Sequence, residues 1–236
     1  MNKIVETLSV VVEDARFEFK ENGLQARVVD ASHVAMIKME VDSAAFETWE
    51  IDETDLCLEL RKVKELISLG AADDMIEMAY TPTSGVMTLN LGKIDRNIRP
   101  LDNTTLTSPN VPQIDIPSKV VMSGVALAQA LRAAKQVGDL VNLSIDADTF
   151  TVHVQGQADS VTVSFAKDEL ESLECEKPAR SQYSLTYLVP MAKIFAGLGD
   201  ITLGFGESFP LRLSFSFNDG AGEVVYYLAP RVESEY

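Results

Sequence analysis

Apolar and polar positions follow two periods along this chain, and the periods switch in the same order twice. In the second half, Lys119–Gly124 reads as a short strand, and Val125–Val137 then places Leu127, Leu131 and Ala134 on one helical face before Gly138 stops it. Three alternating runs follow, Leu140–Ile145, Phe150–Val154 and Val161–Phe165, with Asp146-Ala147-Asp148 and Gly156–Ser160 as turns. The acidic run Asp168–Glu176 reads as a solvated loop. Tyr183–Leu185 predicts a strand and Tyr187–Leu198 a second helix closed by Gly199. Ile201–Phe205, Leu211–Phe217, the turn Asn218-Asp219-Gly220 and a closing strand that stops at Pro230 complete the half, because proline cannot donate to a ladder.

The first half matches. Lys3–Val12 predicts a helix, and strands follow at Arg16–Lys20, Leu24–Val29 and Ala35–Val41, with Asn22-Gly23 as a hairpin turn. Phe46–Ile51 reads as a further strand and Leu60–Leu69 as a helix ended by Gly70. Met75–Tyr80, Val86–Leu91 and Ile94–Leu101 close the set. The pattern predicts an α+β fold made of two topologically similar domains, residues 1–101 and 119–236. The N-terminal copy starts almost inside its helix, so its first strand is expected to be missing. Residues 102–118, rich in Asn, Thr, Ser and Pro, read as an extended linker. Val111, Ile114 and Ile116 are its apolar positions.

Composition adjusts this picture. The 236 residues carry 20 Lys+Arg against 36 Asp+Glu, a net charge of −16. Charge alone argues against nucleic acid, since phosphates are neutralised by Lys and Arg, but it says nothing about distribution. No run nears the roughly 18 apolar residues that a membrane helix needs. The two cysteines, Cys57 and Cys175, read as reduced thiols of a cytoplasmic protein.

Catalytic signals are poor. Neither histidine, His33 or His153, neighbours a nucleophile motif, and His153 reads as an exposed strand residue. Asp146 and Asp148 lack the glycine and distal glutamate of a calcium loop. No catalytic residue, metal or cofactor is assigned. An acidic hydrolase with unrecognised carboxylates is the alternative from another class.

The string Tyr226-Tyr227-Leu228-Ala229-Pro230, followed by Arg231 and an acidic tail, resembles the C-terminus of the proliferating cell nuclear antigen family of archaeal and eukaryotic DNA sliding clamps. Val29-Asp30-Ala31-Ser32-His33-Val34, Leu198-Gly199-Asp200 and Phe209-Pro210-Leu211 fall where that family has similar strings. The resemblance implies a DNA clamp fold, helices lining a ring and sheets outside. It also implies a homotrimer that encircles duplex DNA without reading sequence and acts as a polymerase processivity factor. A subunit of a heteromeric repair or checkpoint clamp is the alternative. Implied partners are DNA polymerase, a clamp loader, nuclease and ligase, the clients docking through short peptide motifs. No membrane is involved, and the setting is the nucleoid of an archaeal-type cell.

The implied DNA-facing residues are Lys3, Arg61, Lys62, Lys64, Arg132, Lys135 and Lys193, which give each predicted helix at least one cation. Glu6 and Glu65 dilute them, so contact should be weak and salt-sensitive, each phosphate adding about 0.9 to the log–log slope. The implied peptide groove takes Val29, His33, Val34, Pro210, Tyr227, Leu228, Ala229 and Pro230, with Val111 and Ile114 from the linker. Tyr226 and Tyr227 alternate faces, so only one can line it. His33 reads equally as a partly buried structural histidine. The implied subunit interface takes Ile94, Ile98 and Leu101 from one edge, and Val161, Val163 and Phe165 from the other.

Overall fold

The closing strand lies in the middle of the molecule, not at its margin. In the computed structural model, which describes residues 1–71 and 74–231, Gly222–Leu228 (β16) pairs on one side with Leu211–Phe217 (β15). On its other side it pairs with Ala35–Asp42 (β3) of the first half, in an unbroken register from Gly222↔Val41 to Leu228↔Ala35. The acidic tail beyond Arg231 lies outside the described residues.

The first half runs α1 (Asn2–Leu8), β1 (Asp14–Lys20), β2 (Gly23–Val29), β3, β4 (Thr54–Glu59), α2 (Leu60–Ile67), β5 (Ile76–Thr81), β6 (Val86–Leu91) and β7 (Ile94–Ile98). The second runs β8 (Ser118–Ser123), α3 (Gly124–Lys135), β9 (Leu140–Ile145), β10 (Thr149–Gln155), β11 (Ser160–Ala166), β12 (Ser172–Cys175), β13 (Ala179–Ser184), α4 (Leu185–Phe195), β14 (Asp200–Gly204), β15 and β16. A single 3-10 turn recurs in each half, Ser43–Ala45 after β3 and Lys167–Glu169 after β11, in both cases after the third strand that follows the first helix. These paired turns match the halves down to a minor element.

Nine strands form one sheet, β12-β8-β14-β15-β16-β3-β2-β1-β4, flanked by β11-β10-β9-β13 and β5-β6-β7. The four helices pack together, α1 on α2, α3 on α4, and α1 against α4. Alternation assigns each strand one face to this helical layer. Tyr226, Leu228, Ile37, Phe17, Phe205 and Leu213 on that side are all within 1% of full burial. One apolar cluster therefore runs through both halves.

Several elements differ from the sequence pattern. Phe46–Ile51 is not a strand. Its counterpart in the second half is β12, whose ladder is made with β8 alone, and no described residue supplies a β8 equivalent to the first half. The aromatic residues fold inward instead: Trp49 stacks on Phe19 at 6.0 Å and its Nε1 donates to the Lys20 carbonyl at 3.0 Å. The strand of this region is β4, paired with β1 and running directly into α2 with no turn between. The acidic run 168–176 contains β12, held by one buried residue, Leu173. Helix α1 ends at Leu8, with Val10 and Val11 in tighter turns bonded to Thr7 and Leu8. The Ile94 strand ends at Ile98, and Leu101 crosses to bridge Cys57 on β4.

Gly23 in the β1–β2 hairpin has a φ of +140°, and a Cβ there would stand 2.1 Å from the Val41 carbonyl oxygen. Gly85, at φ +62°, would meet nothing within 4 Å. Gly85→Ala should cost about 1 kcal/mol, the left-handed penalty alone. Gly23→Ala should cost about 3 kcal/mol or more, because the backbone of β3 must move. Urea unfolding of both variants checks this, and equal costs would contradict it.

Candidate functional site: an inter-domain groove and a helical face

The β16–β3 junction builds an outward row of side chains by register alone. Val29 stands opposite Met36, Met36 opposite Tyr227, and Tyr227 opposite Arg212. Directly opposed residues share a face, with Cβ atoms about 5 Å apart. The row is thus an apolar and aromatic floor bounded by a cation. Tyr227 is half-buried on this floor, whereas Tyr226 is fully buried on the helical side and donates to the Tyr187 carbonyl at 3.3 Å. Burial pushes the Tyr226 phenol far above its usual range.

One end of the floor is the β2–β3 turn, and Asp30 organises it. Its carboxylate accepts from the backbone N–H groups of Val34 and Ala35 at 2.7 Å, from that of Ser32 at 3.1 Å, and from the Tyr187 hydroxyl of α4 at 3.2 Å. Burial pushes the Asp30 carboxyl up, but these donors override it and hold it below the usual carboxylate range. The turn forces His33 to φ +55°, and its ring is exposed, so it is not a satisfied buried histidine. The chain after β16 is stitched alongside: Ala229 N–H donates to Val34 at 2.8 Å and Arg231 N–H to Gln182 at 2.7 Å.

Val29, Val34, Pro210, Tyr227, Ala229 and Pro230 are half-buried and His33 is exposed around this floor. Leu228 departs from expectation. It shares the face of Tyr226, is fully buried, and belongs to the core beneath the groove. Val111 and Ile114 are half-buried in the connecting segment. Met36, Arg212, Asp30 and Tyr187 are absent from the sequence-predicted set. Cross-strand register finds the first two; Asp30 lies inside the Val29–Val34 string that carries the resemblance without a role of its own, and neither period nor motif points to Tyr187. Phe209, 36% exposed beside Pro210, is anchored through its carbonyl by the Tyr183 hydroxyl at 2.7 Å.

The seven predicted cations divide on the helical layer. Arg61 pairs with Glu65 at 2.6 Å, Lys62 with Glu59, and Lys135 with Asp139. Lys3, Lys64, Arg132 and Lys193 make no ion pair among the described residues. On α3 the exposed stripe is Val125, Gln129, Arg132 and Gln136, at helical spacing opposite the buried Leu127 and Leu131. Lys135 lies on its flank, half-buried.

The interface candidates lie on the edges β7 and β11, each of which has one unpaired side in the described chain. Ile98 is 4% exposed and joins its own core, and Phe165 stacks on Phe150 at 6.0 Å. Leu101 lies off the edge, tied to β4. Both cysteines are free thiols, Cys57 fully buried. Among the described residues no three acidic, His or Cys groups stand together as a metal cluster, and no helix is long and apolar enough to cross a membrane.

Residues 1–106 match the family model described as proliferating cell nuclear antigen, N-terminal domain. Over 232 residues, 98% of this chain and 94% of the relative, the sequence is 32% identical to the DNA polymerase sliding clamp of Methanosarcina mazei. The clamp of Methanosphaerula palustris is 33% identical over 234 residues, with the same shares covered. The chain belongs to the proliferating cell nuclear antigen family of DNA sliding clamps. A solved structure of the A. fulgidus family member, bound to the C-terminal region of FEN-1, superposes with a TM-score of 0.93 at 26% identity, covering 99% of this chain and 96% of that one. The Thermococcus kodakaraensis structure gives 0.88 over 98% and 95% at 23% identity, which speaks for the fold. The chain is accordingly a sliding clamp, a processivity factor that tethers enzymes to DNA, in a family that works by tethering rather than catalysis.

Because the folded Asp30 is more acidic than an unfolded one, its contribution is full above the unfolded value, near 3.8, and is lost as pH falls through the lower folded value. Asp30→Asn should lower the melting temperature at pH 7 and flatten its decline below about pH 4. Thermal unfolding across pH 2–7 checks both; parallel acid limbs in the two proteins would contradict the role of the carboxylate.

Proposed function

We propose that three copies of this chain close head to tail into a ring, with the helical layer facing duplex DNA and the β16–β3 groove docking client peptides on the outside. The observation that carries this reading is the β16–β3 ladder. β16 is the last strand of one repeat and β3 the third strand of the other. Their counterparts, β7 and β11, are the two edges left open with a matching relation. Applying the same ladder between copies joins β7 of one to β11 of the next. It is a heterologous contact that closes at a fixed number of subunits and leaves neither edge bare.

Surface composition supports this choice of edge. Among the exposed large apolar side chains, Leu69, Met75 and Ile94 gather beside β7 around a shallow cavity of 440 Å³. Val161, Val163 and Phe165 on β11 are half-covered apolar residues alternating with exposed Ser and Thr. Ile94 and Ile98 would extend the β11 apolar row across the joint.

Lys3, Lys64, Arg132 and Lys193, free of ion pairs among the described residues, would meet phosphates without reading bases. Arg61, Lys62 and Lys135 must first exchange a carboxylate for a phosphate. The net charge of −16 opposes adhesion of DNA to the protein as a whole, which favours contact confined to those cations of the helical layer that are unpaired among the described residues.

The groove suits a short peptide turn. Val29, Met36 and Tyr227 offer an apolar floor, His33, Val34 and Pro210 a rim, and the untied backbone near Val111 and Ile114 hydrogen-bonding groups. The A. fulgidus relative, bound to the C-terminal region of FEN-1, supports a nuclease tail as one occupant. Polymerase, clamp loader and ligase would use the same floor in turn. The setting is the DNA of the cytoplasm in an archaeal-type cell.

Tyr227→Ala should abolish most stimulation of a cognate polymerase on primed circular DNA, with the unfolding midpoint little changed. Leu228→Ala should instead lower stability by about 2–5 kcal/mol, as a core truncation does. Undiminished stimulation by Tyr227→Ala would contradict the placement of the groove.

A further inference from the structure

The segment joining the two domains is held unevenly. Its first part is tied to the outward face of the N-terminal sheet. Arg16 on β1 donates through Nη1 to the carbonyls of Asn103 and Leu106, both at 3.3 Å, and through Nη2 to Asp55 at 2.6 Å. The Asn103 amide donates to the Asp55 carbonyl at 2.8 Å. Two residues along β1 on the same face, Glu18 accepts from the Ser108 hydroxyl at 2.9 Å. The same carboxylate receives Arg27 at 2.9 Å and Lys20 at 3.0 Å, and its side chain is only 11% exposed. By contrast, among the described residues no hydrogen bond ties 109–116 to the rest of the protein. Val111 and Ile114 sit in that untied stretch.

Such a cluster is costly to bury unless every charge is met, and its best-attested use is to specify one arrangement. Here the arrangement specified is long-range: Glu18 and Ser108 are 90 residues apart in sequence. Burial pushes the Glu18 carboxyl up, but its three donors override this and hold it at about 2. The acceptor thus stays ionised at neutral pH, and the tie does not open with physiological pH.

We infer that Arg16 and Glu18 are positioning residues for peptide docking: by latching residues 102–108 they set where the untied stretch bearing Val111 and Ile114 begins, and so keep it beside the Val29–Met36–Tyr227 floor. The inference rests on the groove reading above. Ordering of the segment is then completed largely during folding, leaving less to be ordered when a peptide arrives. If the latch is removed, the docking-competent arrangement becomes one of many, and apparent affinity falls by the fraction of time it is occupied.

The test uses the full-length protein and a synthetic peptide with the sequence of a FEN-1 C-terminal region. Three variants are compared with wild type: Glu18→Ala; the double change Asn103→Ala with Ser108→Ala, which spares the ion pairs of the sheet; and Tyr227→Ala as a floor control. Amide exchange is followed by mass spectrometry and peptide affinity by calorimetry. Glu18→Ala should speed exchange of residues 102–108 by about tenfold or more while β3 and β16 stay protected. It should also weaken the peptide by about five- to twentyfold. The double change should move both readouts in the same direction by less, and Tyr227→Ala should weaken the peptide with exchange of 102–108 unchanged. Unchanged exchange in both latch variants overturns the inference, as does faster exchange with affinity intact. A wild-type protein that takes no peptide contradicts the groove reading and removes the positioning role with it, whereas exchange of residues 102–108 reads the latch independently.

Discussion

The ladder between β16 and β3 is the constraint on which the rest of the structure depends. It joins the C-terminal strand of one repeat to the interior of the other, turning two similar half-domains into one continuous sheet. Strand alternation then divides the labour of adjacent residues. Tyr226 and Leu228 hold the sheet to the helical layer, while Tyr227 is left on the outer floor. The same ladder brings Val29 and Met36 into line with Tyr227, and carries Ala229 to the turn that Asp30 holds. The outer floor is a consequence of how the halves are welded, since the strands that carry it also bury the core residues beneath it.

Charge is distributed to match. A strongly acidic chain leaves its cations where the fold needs them: four unpaired among the described residues on the helices, and Arg16, Lys20 and Arg27 engaged with Asp55 and Glu18 under the connecting segment. The first group is the one proposed to meet phosphate, and Glu65, paired with Arg61 and Arg96, dilutes the positive charge of that layer. The second group works inside the protein. Tyr187 links the helical layer to the outer face, since it lies on α4 and donates to the Asp30 carboxylate that shapes the β2–β3 turn.

Much of this was legible in the chain, and what was not has particular causes. Clean alternation placed β6, β9 and β15, and glycine stops placed the helix ends near Gly138 and Gly199. The duplication was visible because it repeats the order of periods, not the residues. β4 escaped because Thr54–Glu59 passes into α2 without a turn residue, and β12 because a single buried leucine sits among acids. Phe46–Ile51 looked like a strand because aromatic residues favour strands, but a strand also needs a partner, and the described residues offer it none. Leu228 departs because the alternation that separates Tyr226 from Tyr227 also sets Leu228 on the face opposite Tyr227, whereas the resemblance assigns the whole string to the groove. Arg16 and Glu18 were invisible as a latch because their partners lie far along the chain, in a segment without periodicity.

In the proposed ring, the open edges β7 and β11 repeat between copies the join that β16 and β3 make within one. Light scattering on the purified protein measures this most directly. A mass of three times 25.8 kDa, stable on dilution, is the predicted result. A monomer at every concentration would contradict it.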